Sequence, residues 1–280
     1  MWNGFTLKSA FQPIYIFTEG SLRIVAFEGL LRPFRDQEPV PPAVFFRNVP
    51  TAERQNVETL SRTLHLLNAG KFLDRSAAIF INFDPSLFAE HGVADALLRG
   101  MRSVLREAEI DPGRIVCEVT EQSSSSEAAL FEFVEALRSY GFRIAVDDYG
   151  SEDSDIHRIE RLRPDIVKFD AQWISQLMSS GPGFALLAEM VASFSERGIE
   201  TVFEGIELGW QLELAEKCGA SMVQGYILAR PQIVPTTFTM LTPAAAAPEH
   251  PVVHEHRPAA ETHPGAMRPS RPFGRRTAAP

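Results

Sequence analysis

Residues 115–170 read IVCEVTEQSSSSEAALFEFVEALRSYGFRIAVDDYGSEDSDIHRIERLRPDIVKFD. Three short apolar, β-branched runs stand in this stretch: Ile115–Val119, Ile144–Val146 and Ile166–Phe169. Segments of helical period fill the gaps, Glu127–Ser139 and Asp155–Leu162. Val134, Leu137 and Tyr140 keep an apolar stripe at helical spacing. Gly141 then follows, where a left-handed cap suits glycine. Strands separated by helices imply a parallel sheet.

The same alternation runs outward in both directions. Upstream lie the runs Phe11–Phe17, Ile24–Phe27 and Ala78–Phe83, with helical segments at Ala52–Asn68 and Val93–Ala108. Downstream lie Thr201–Phe203 and Met222–Val223, with helical segments at Phe184–Arg197 and Gly209–Lys217. Gly70, Gly198 and Gly219 are expected to cap helices as Gly141 does. Seven or eight strands in about 240 residues suit an α/β fold of the closed TIM-like (β/α)8 type better than an open sheet. The first two runs are joined by a short turn at Glu19-Gly20, which reads as a hairpin, so the barrel is expected to start irregularly.

Composition limits the alternatives. Hydrophobic residues make up 45% and charged residues 22% of the 280, an ordinary globular mix. No run of 18 apolar residues exists, so no membrane-spanning helix is expected, and no secretory leader is recognisable. Cys117 and Cys218 cannot build a disulfide framework, and a reduced cytoplasmic setting is the default. The domain is expected over residues 1–242. Residues 243–280 hold 8 of the 20 prolines and 4 of the 7 histidines and read as a disordered tail. The tail carries a net charge of +2, which leaves −11 on the rest. So acidic a body argues against nucleic-acid polymers as partners. If it binds a phosphate ester, divalent cations are the natural offset.

Polar residues follow the runs. Glu28, Asn82, Glu118 with Glu121, Asp147-Asp148, Lys168 with Asp170, Glu204 with Glu207, and Gln224 stand in or just after successive apolar runs. In a barrel all carboxyl strand ends meet at one mouth, where active sites sit. Taken singly, each has a plain structural use: an acid after a strand usually caps the next helix, and a lysine among acids is usually an ion pair. The recurrence on successive strands points to a site. The carboxylates of Glu28, Glu118, Asp147, Asp148 and Glu204 at one mouth cannot all ionise without a cation. Oxygen ligands of this kind select Mg²⁺ or Mn²⁺, and a pair of such ions suits phosphodiester displacement. Lys168 is the single cation among them. His65, His91 and His157 lack partners at ligand spacing and read as structural. Cys117 should point away from Glu118, and Phe45, Phe46 and Phe88 read as core.

These residues resemble the motifs of the EAL-domain phosphodiesterases that act on cyclic di-GMP, over roughly residues 8–235. The likeness is carried by Phe11-Gln12-Pro13-Ile14, Glu28-Gly29-Leu30-Leu31-Arg32, Ile81-Asn82-Phe83-Asp84 and Glu118-Val119-Thr120-Glu121. It continues through Asp147-Asp148-Tyr149-Gly150, Val167-Lys168-Phe169-Asp170, Glu204-Gly205-Ile206-Glu207 and Gln224-Gly225-Tyr226. The resemblance implies a barrel with an antiparallel first strand and two metal ions. Glu28, Asn82, Glu118 and Asp147 would hold one ion; Asp147, Asp148 and Glu204 would hold the other. Lys168 would position the attacking water, and Glu121 would order the loop after Asp148. Gln12, Leu30, Arg32, Asp170, Glu207 and Gln224 would surround the substrate. The reaction implied is hydrolysis of cyclic di-GMP to linear pGpG by a cytoplasmic homodimer.

Two positions and one segment depart from the pattern. Gly29 replaces alanine and Asp84 replaces serine. Ser151-Glu152-Asp153-Ser154-Asp155 replaces a segment that commonly reads Thr-Gly-Tyr-Ser-Ser. Glu152 in place of glycine makes a positive φ costly, and the resemblance links this loop to a dimer contact. The alternative reading is a cyclic di-GMP receptor or interaction module without turnover, whose expected mark, loss of a metal ligand, is absent. A generic metal-dependent phosphoesterase is the third, since fold alone does not fix substrate. With Met1 about ten residues before the first run, the chain is expected to act as a stand-alone unit.

Overall fold

The computed structural model describes residues 1–84, 93–120, 127–151 and 156–238. The strands are β1 Phe5–Thr18, β2 Ser21–Arg35, β3 Glu38–Pro39, β4 Ala78–Phe83 and β5 Ile115–Thr120, followed by β6 Arg143–Tyr149, β7 Ile166–Phe169, β8 Glu200–Phe203, β9 Met222–Val223 and β10 Gln232–Ile233. The helices are α1 Pro42–Arg47, α2 Thr51–Phe72, α3 Val93–Glu107, α4 Glu127–Ser139, α5 Ile156–Leu162, α6 Ala171–Met178, α7 Gly181–Glu196 and α8 Gly209–Cys218. None of them is long and apolar enough to cross a membrane.

Eight strands close into a barrel. β2, β4, β5, β6, β7, β8 and β9 are successive parallel neighbours. β1 is antiparallel to both β2 and β9 and closes the ring. The Glu19-Gly20 hairpin is present, with Thr18 paired to Ser21. β3 and β10 are two-residue additions at the edges of β2 and β1.

Strand alternation sorts the core into two layers. Inside the barrel, each strand contributes one apolar side chain: Ile14, Ala26, Phe80, Val116, Ala145, Ile166, Val202 and Met222. The outward faces, Cys117 among them, pack against the helices. Burying each large side chain of this kind contributes roughly 1.5–3 kcal/mol. A third, smaller cluster of Phe5, Leu31, Phe45, Val49 and Val57 joins the outer end of the β1–β2 hairpin to α1 and α2.

Three elements differ from the sequence reading. Gly70 does not cap a helix; α2 runs on to Phe72. A Cβ at Gly70 would lie 2.2 Å from the Ala108 carbonyl, so this glycine permits close packing of the segment after α3. Gly141, Gly198 and Gly219 do take positive φ at helix ends. Helices α1 and α6 were not expected from the sequence. α6 starts directly after β7 because the Asp170 carboxylate caps it, accepting from the Trp173 N–H at 2.8 Å. Phe45 is core, whereas Phe46 is partly buried. Phe88, His91, Glu121, Glu152–Asp155 and the tail lie outside the described residues.

Candidate metal centre

Inward and outward positions alternate along a strand, so the residue two steps toward the mouth from each inner-layer side chain also points inward. From the eight inner-layer residues that step reaches Gln12, Glu28, Asn82, Glu118, Asp147, Lys168, Glu204 and Gln224. An apolar floor therefore carries a polar ring, one member per strand.

Lys168 sits at the centre of the ring, with its side chain 1% exposed. Its ammonium contacts the Glu118 carboxylate, Asp147 Oδ1 at 3.0 Å and Glu204 Oε1 at 2.7 Å. Burial alone would lower the Lys168 pKa. The surrounding charges of Asp147, Glu118, Glu204 and Glu28 outweigh it and hold the ammonium well above its usual range. The acids feel the opposite pressure. Burial, opposed by Lys168 and reinforced by Glu28 and Asp147, raises Glu118 well above the carboxylate range. Burial pushes Glu204 up to about 8, against the pull of Lys168. Asp148 is raised by burial and by neighbouring Asp147.

The other members close around this group. Gln224 Nε2 donates to Glu28 Oε2 at 2.9 Å. Asn82 lies beside Glu118 in the β4–β5 register. The carboxylates of Asp147, Asp148 and Glu204 each offer an oxygen within 4.8 Å of the others. Adjacent residues on a regular strand point to opposite faces, so the Asp147–Asp148 pairing needs an irregularity. The β6–β7 register shifts between Val146 and Tyr149, and Asp148 takes φ +58°. Left-handed backbone at a non-glycine residue costs on the order of 1–3 kcal/mol. The bulge turns both carboxylates toward one cluster. Gly150 follows at φ +101°, and a Cβ there would lie 2.2 Å from the Trp173 ring.

The donor set fits hard divalent cations. Glu118 is fully buried; its Oε1 meets the Lys168 ammonium, and among the described residues its Oε2 accepts no hydrogen bond. One ammonium cannot balance Glu28, Glu118, Asp147, Asp148 and Glu204. All five offer oxygen, the ligand that Mg²⁺, Mn²⁺ and Ca²⁺ take.

The outer candidates are placed as follows. Gln12 is buried, and its amide donates to the Ala229 carbonyl at 3.2 Å. Leu30 and Arg32 are half-buried on the wall of a cavity beside the ring. Asp170 is engaged as the α6 cap. Glu207 is exposed, and its N–H donates to Gln211 Oε1 at 2.9 Å. Sequence reasoning missed Gln211, which fixes this loop by also accepting from the Leu208 N–H at 2.9 Å. It also missed the ion pair of half-buried Glu58 and buried Arg62 on α2, which line the same cavity as Arg32. Their spacing of four along a helix was the available signal. His65 is structural: Ser9 Oγ meets its Nδ1 at 2.8 Å, and Ser61 Oγ meets its Nε2 at 3.1 Å. It explains Gly29, where a Cβ would stand 3.1 Å from the His65 ring.

Comparison with known proteins agrees with this geometry. The EAL domain profile matches residues 3–231. The EAL-domain containing protein YkuI of Bacillus subtilis is 29% identical over 224 residues, 77% of this chain and 53% of YkuI. "Probable cyclic di-GMP phosphodiesterase PdeA" of Escherichia coli is 27% identical over 154 residues, 54% of this chain and 20% of PdeA. This chain thus spans between a fifth and about half of the length of these relatives. The YkuI structure in complex with substrate c-di-GMP and calcium superposes with TM-score 0.72 at 26% identity, covering 84% of this chain and 57% of that one. The manganese and cy-diGMP complex of Klebsiella pneumoniae BlrP1 at pH 6 gives TM-score 0.73 at 25% identity, covering 81% and 56%.

Proposed function

This chain belongs to the EAL domain family, and from that premise we propose that it hydrolyses one phosphodiester bond of cyclic di-GMP, giving linear pGpG. The observation that carries the proposal is the acidic ring around Lys168, with the Asp147, Asp148 and Glu204 carboxylates gathered beside a fully buried Glu118. Two Mg²⁺ or Mn²⁺ ions are the proposed cofactors. Glu28, Asn82, Glu118 and Asp147 would hold one; Asp147, Asp148 and Glu204 would hold the other. When bound, such ions would neutralise the acids and lower the pKa of a water they hold.

The remaining work belongs to the side chains. Lys168 acts as a donor in this reading: it orients the attacking water and offsets charge on the phosphate. Arg32 offers a guanidinium fork suited to a phosphate. Gln12, Leu30, Asp170, Glu207 and Gln224 flank the substrate, and Glu121 orders the segment after Asp148. A homodimer in the cytoplasm is the proposed working form.

The test is product analysis with the purified chain in Mg²⁺ or Mn²⁺. Cyclic di-GMP should be converted to pGpG, and Glu28→Ala or Lys168→Ala should abolish conversion. Tight binding without pGpG in either metal would replace this reading with that of a receptor. A large rate increase in Glu152→Gly would identify the native loop as a brake.

A further inference from the structure

Two glycines flank the ligands proposed for the second ion. Gly150 stands two residues after Asp148 at φ +101°, and Gly205 follows Glu204 at φ +61°. Each meets the first turn of α6. A Cβ at Gly150 would lie 2.2 Å from the Trp173 ring, and one at Gly205 would lie 2.3 Å from the Ala171 Cβ. Both distances are far inside van der Waals contact, so the two loops approach α6 as closely as bare backbone allows. β7 lies between β6 and β8 in the sheet, so the turn that follows it meets the loops on either side.

That turn is held firmly. Asp170 caps it through the Trp173 N–H at 2.8 Å. The Trp173 ring stacks on Phe169 with centroids 5.8 Å apart and meets Tyr149 edge-on at 5.9 Å. Phe169 is fully buried and packs in turn on Phe203 at 5.2 Å. Tyr149 directly follows Asp148, and Phe203 directly precedes Glu204. A bridge of rings therefore runs from one ligand's neighbour to the other's, through Trp173 and Phe169. Interiors packed this densely transmit a displacement instead of absorbing it.

Resting on the two-ion reading above, we infer that the first turn of α6 is a spacer that sets the separation of Asp148 and Glu204, with Ala171 and Trp173 as positioning residues for the second ion. Neither side chain offers a metal ligand; each acts through the backbone beside one. The carboxylate oxygens of Asp147, Asp148 and Glu204 lie within 4.8 Å of one another. Mg²⁺ demands near-ideal octahedral geometry with oxygens at about 2.0–2.1 Å, whereas Ca²⁺ takes them at about 2.3–2.6 Å in a flexible sphere. A spacer of the wrong size therefore penalises Mg²⁺ more than Ca²⁺. Loss of packing alone does not distinguish the two ions.

The experiment is calorimetric titration of the purified full chain with Mg²⁺ and, separately, with Ca²⁺, with urea unfolding to show that each variant is folded. Ala171→Val enlarges the spacer, and Trp173→Leu removes the ring from beneath Gly150. Each should lose about tenfold or more in Mg²⁺ affinity at one of two ions, the usual effect of disturbing a residue that orients a ligand. Each should lose no more than about twofold toward Ca²⁺, whose sphere tolerates distortion. Trp173→Phe, which keeps a ring in place, should retain wild-type affinity for both. Should Ala171→Val or Trp173→Leu fail to fold, Ala171→Ser, larger by a single heavy atom, decides the matter: it should weaken Mg²⁺ and spare Ca²⁺. Folded variants that bind both ions as wild type does, or that lose both equally, overturn the spacer, while ion binding by wild type leaves the two-ion reading standing. A wild type that binds neither ion overturns both.

Discussion

Lys168→Met separates the structural from the chemical role of the central cation. Methionine fills nearly the same volume with a flexible stem, so the change removes charge without opening a large cavity. The Lys168 side chain is 1% exposed, and its partners are 0% (Glu118), 13% (Asp147) and 19% (Glu204) exposed. Removing one partner of a buried pair costs about 3–5 kcal/mol. For a domain of this size each kcal/mol shifts Tm by roughly 2–4 °C, so the variant should melt roughly 6–20 °C lower in EDTA. On the proposed two-ion reading, divalent cations offset the missing charge. Millimolar Mg²⁺ or Mn²⁺ should therefore stabilise the variant, by about 2.7 kcal/mol at a hundredfold excess over its Kd, and by more than it stabilises wild type. Turnover should stay lost in metal, because the donor proposed to orient water is gone. Urea unfolding followed by circular dichroism, with and without metal, supplies the stabilities, and pGpG formation supplies the activity. Wild-type stability in EDTA, or wild-type turnover in metal, would refute the account of Lys168.

Gly29→Ala restores the family's usual residue against a ring 3.1 Å away that two hydrogen bonds hold in place. Overpacking costs about 1–3 kcal/mol and the loss of unfolded-state freedom returns about 0.4–1, so urea unfolding should show a loss of roughly 1–2 kcal/mol. In a His65→Ala background that loss should vanish. Burial holds the His65 pKa down to about 3, from an ordinary 6.5. Between these values the unfolded chain binds a proton that the fold refuses, so stability is intact above about pH 6.5 and falls toward pH 3; at pH 5 the loss is about 2 kcal/mol. A pH series on His65→Gln should flatten that slope. Gly150→Ala drives a Cβ into the Trp173 ring at a positive φ, so stability should drop by about 2 kcal/mol or more and activity should fall as Asp148 moves; an unchanged melting curve would contradict the packing.

Much of the candidate site could be read along the chain because each ring member is tied to its own strand. Asn82, Glu118 and Lys168 each follow an apolar inner-layer residue by two positions, a purely local relation. Helix ends were less legible. Gly70 carries the same residue type as Gly219, but its neighbour is the Ala108 backbone, 38 positions away in the sequence. The cavity acids were invisible for the same reason. Nothing near Glu58 in sequence announces Asp84, and only packing α2 against β4 brings them to one wall.

The residues alone determined the strand–helix order, the hairpin at Glu19-Gly20 and the polar side chain that each strand carries, because backbone geometry and alternation act over a few neighbours. Tertiary structure decided which carboxylates touch. The bulge at Asp147-Asp148, the pairing of Gln224 with Glu28 and the burial of Lys168 among three acids all require the closed ring. Closure is a long-range property: whether Glu204 meets Lys168 depends on how eight strands tilt and register together, and no local stretch contains that information.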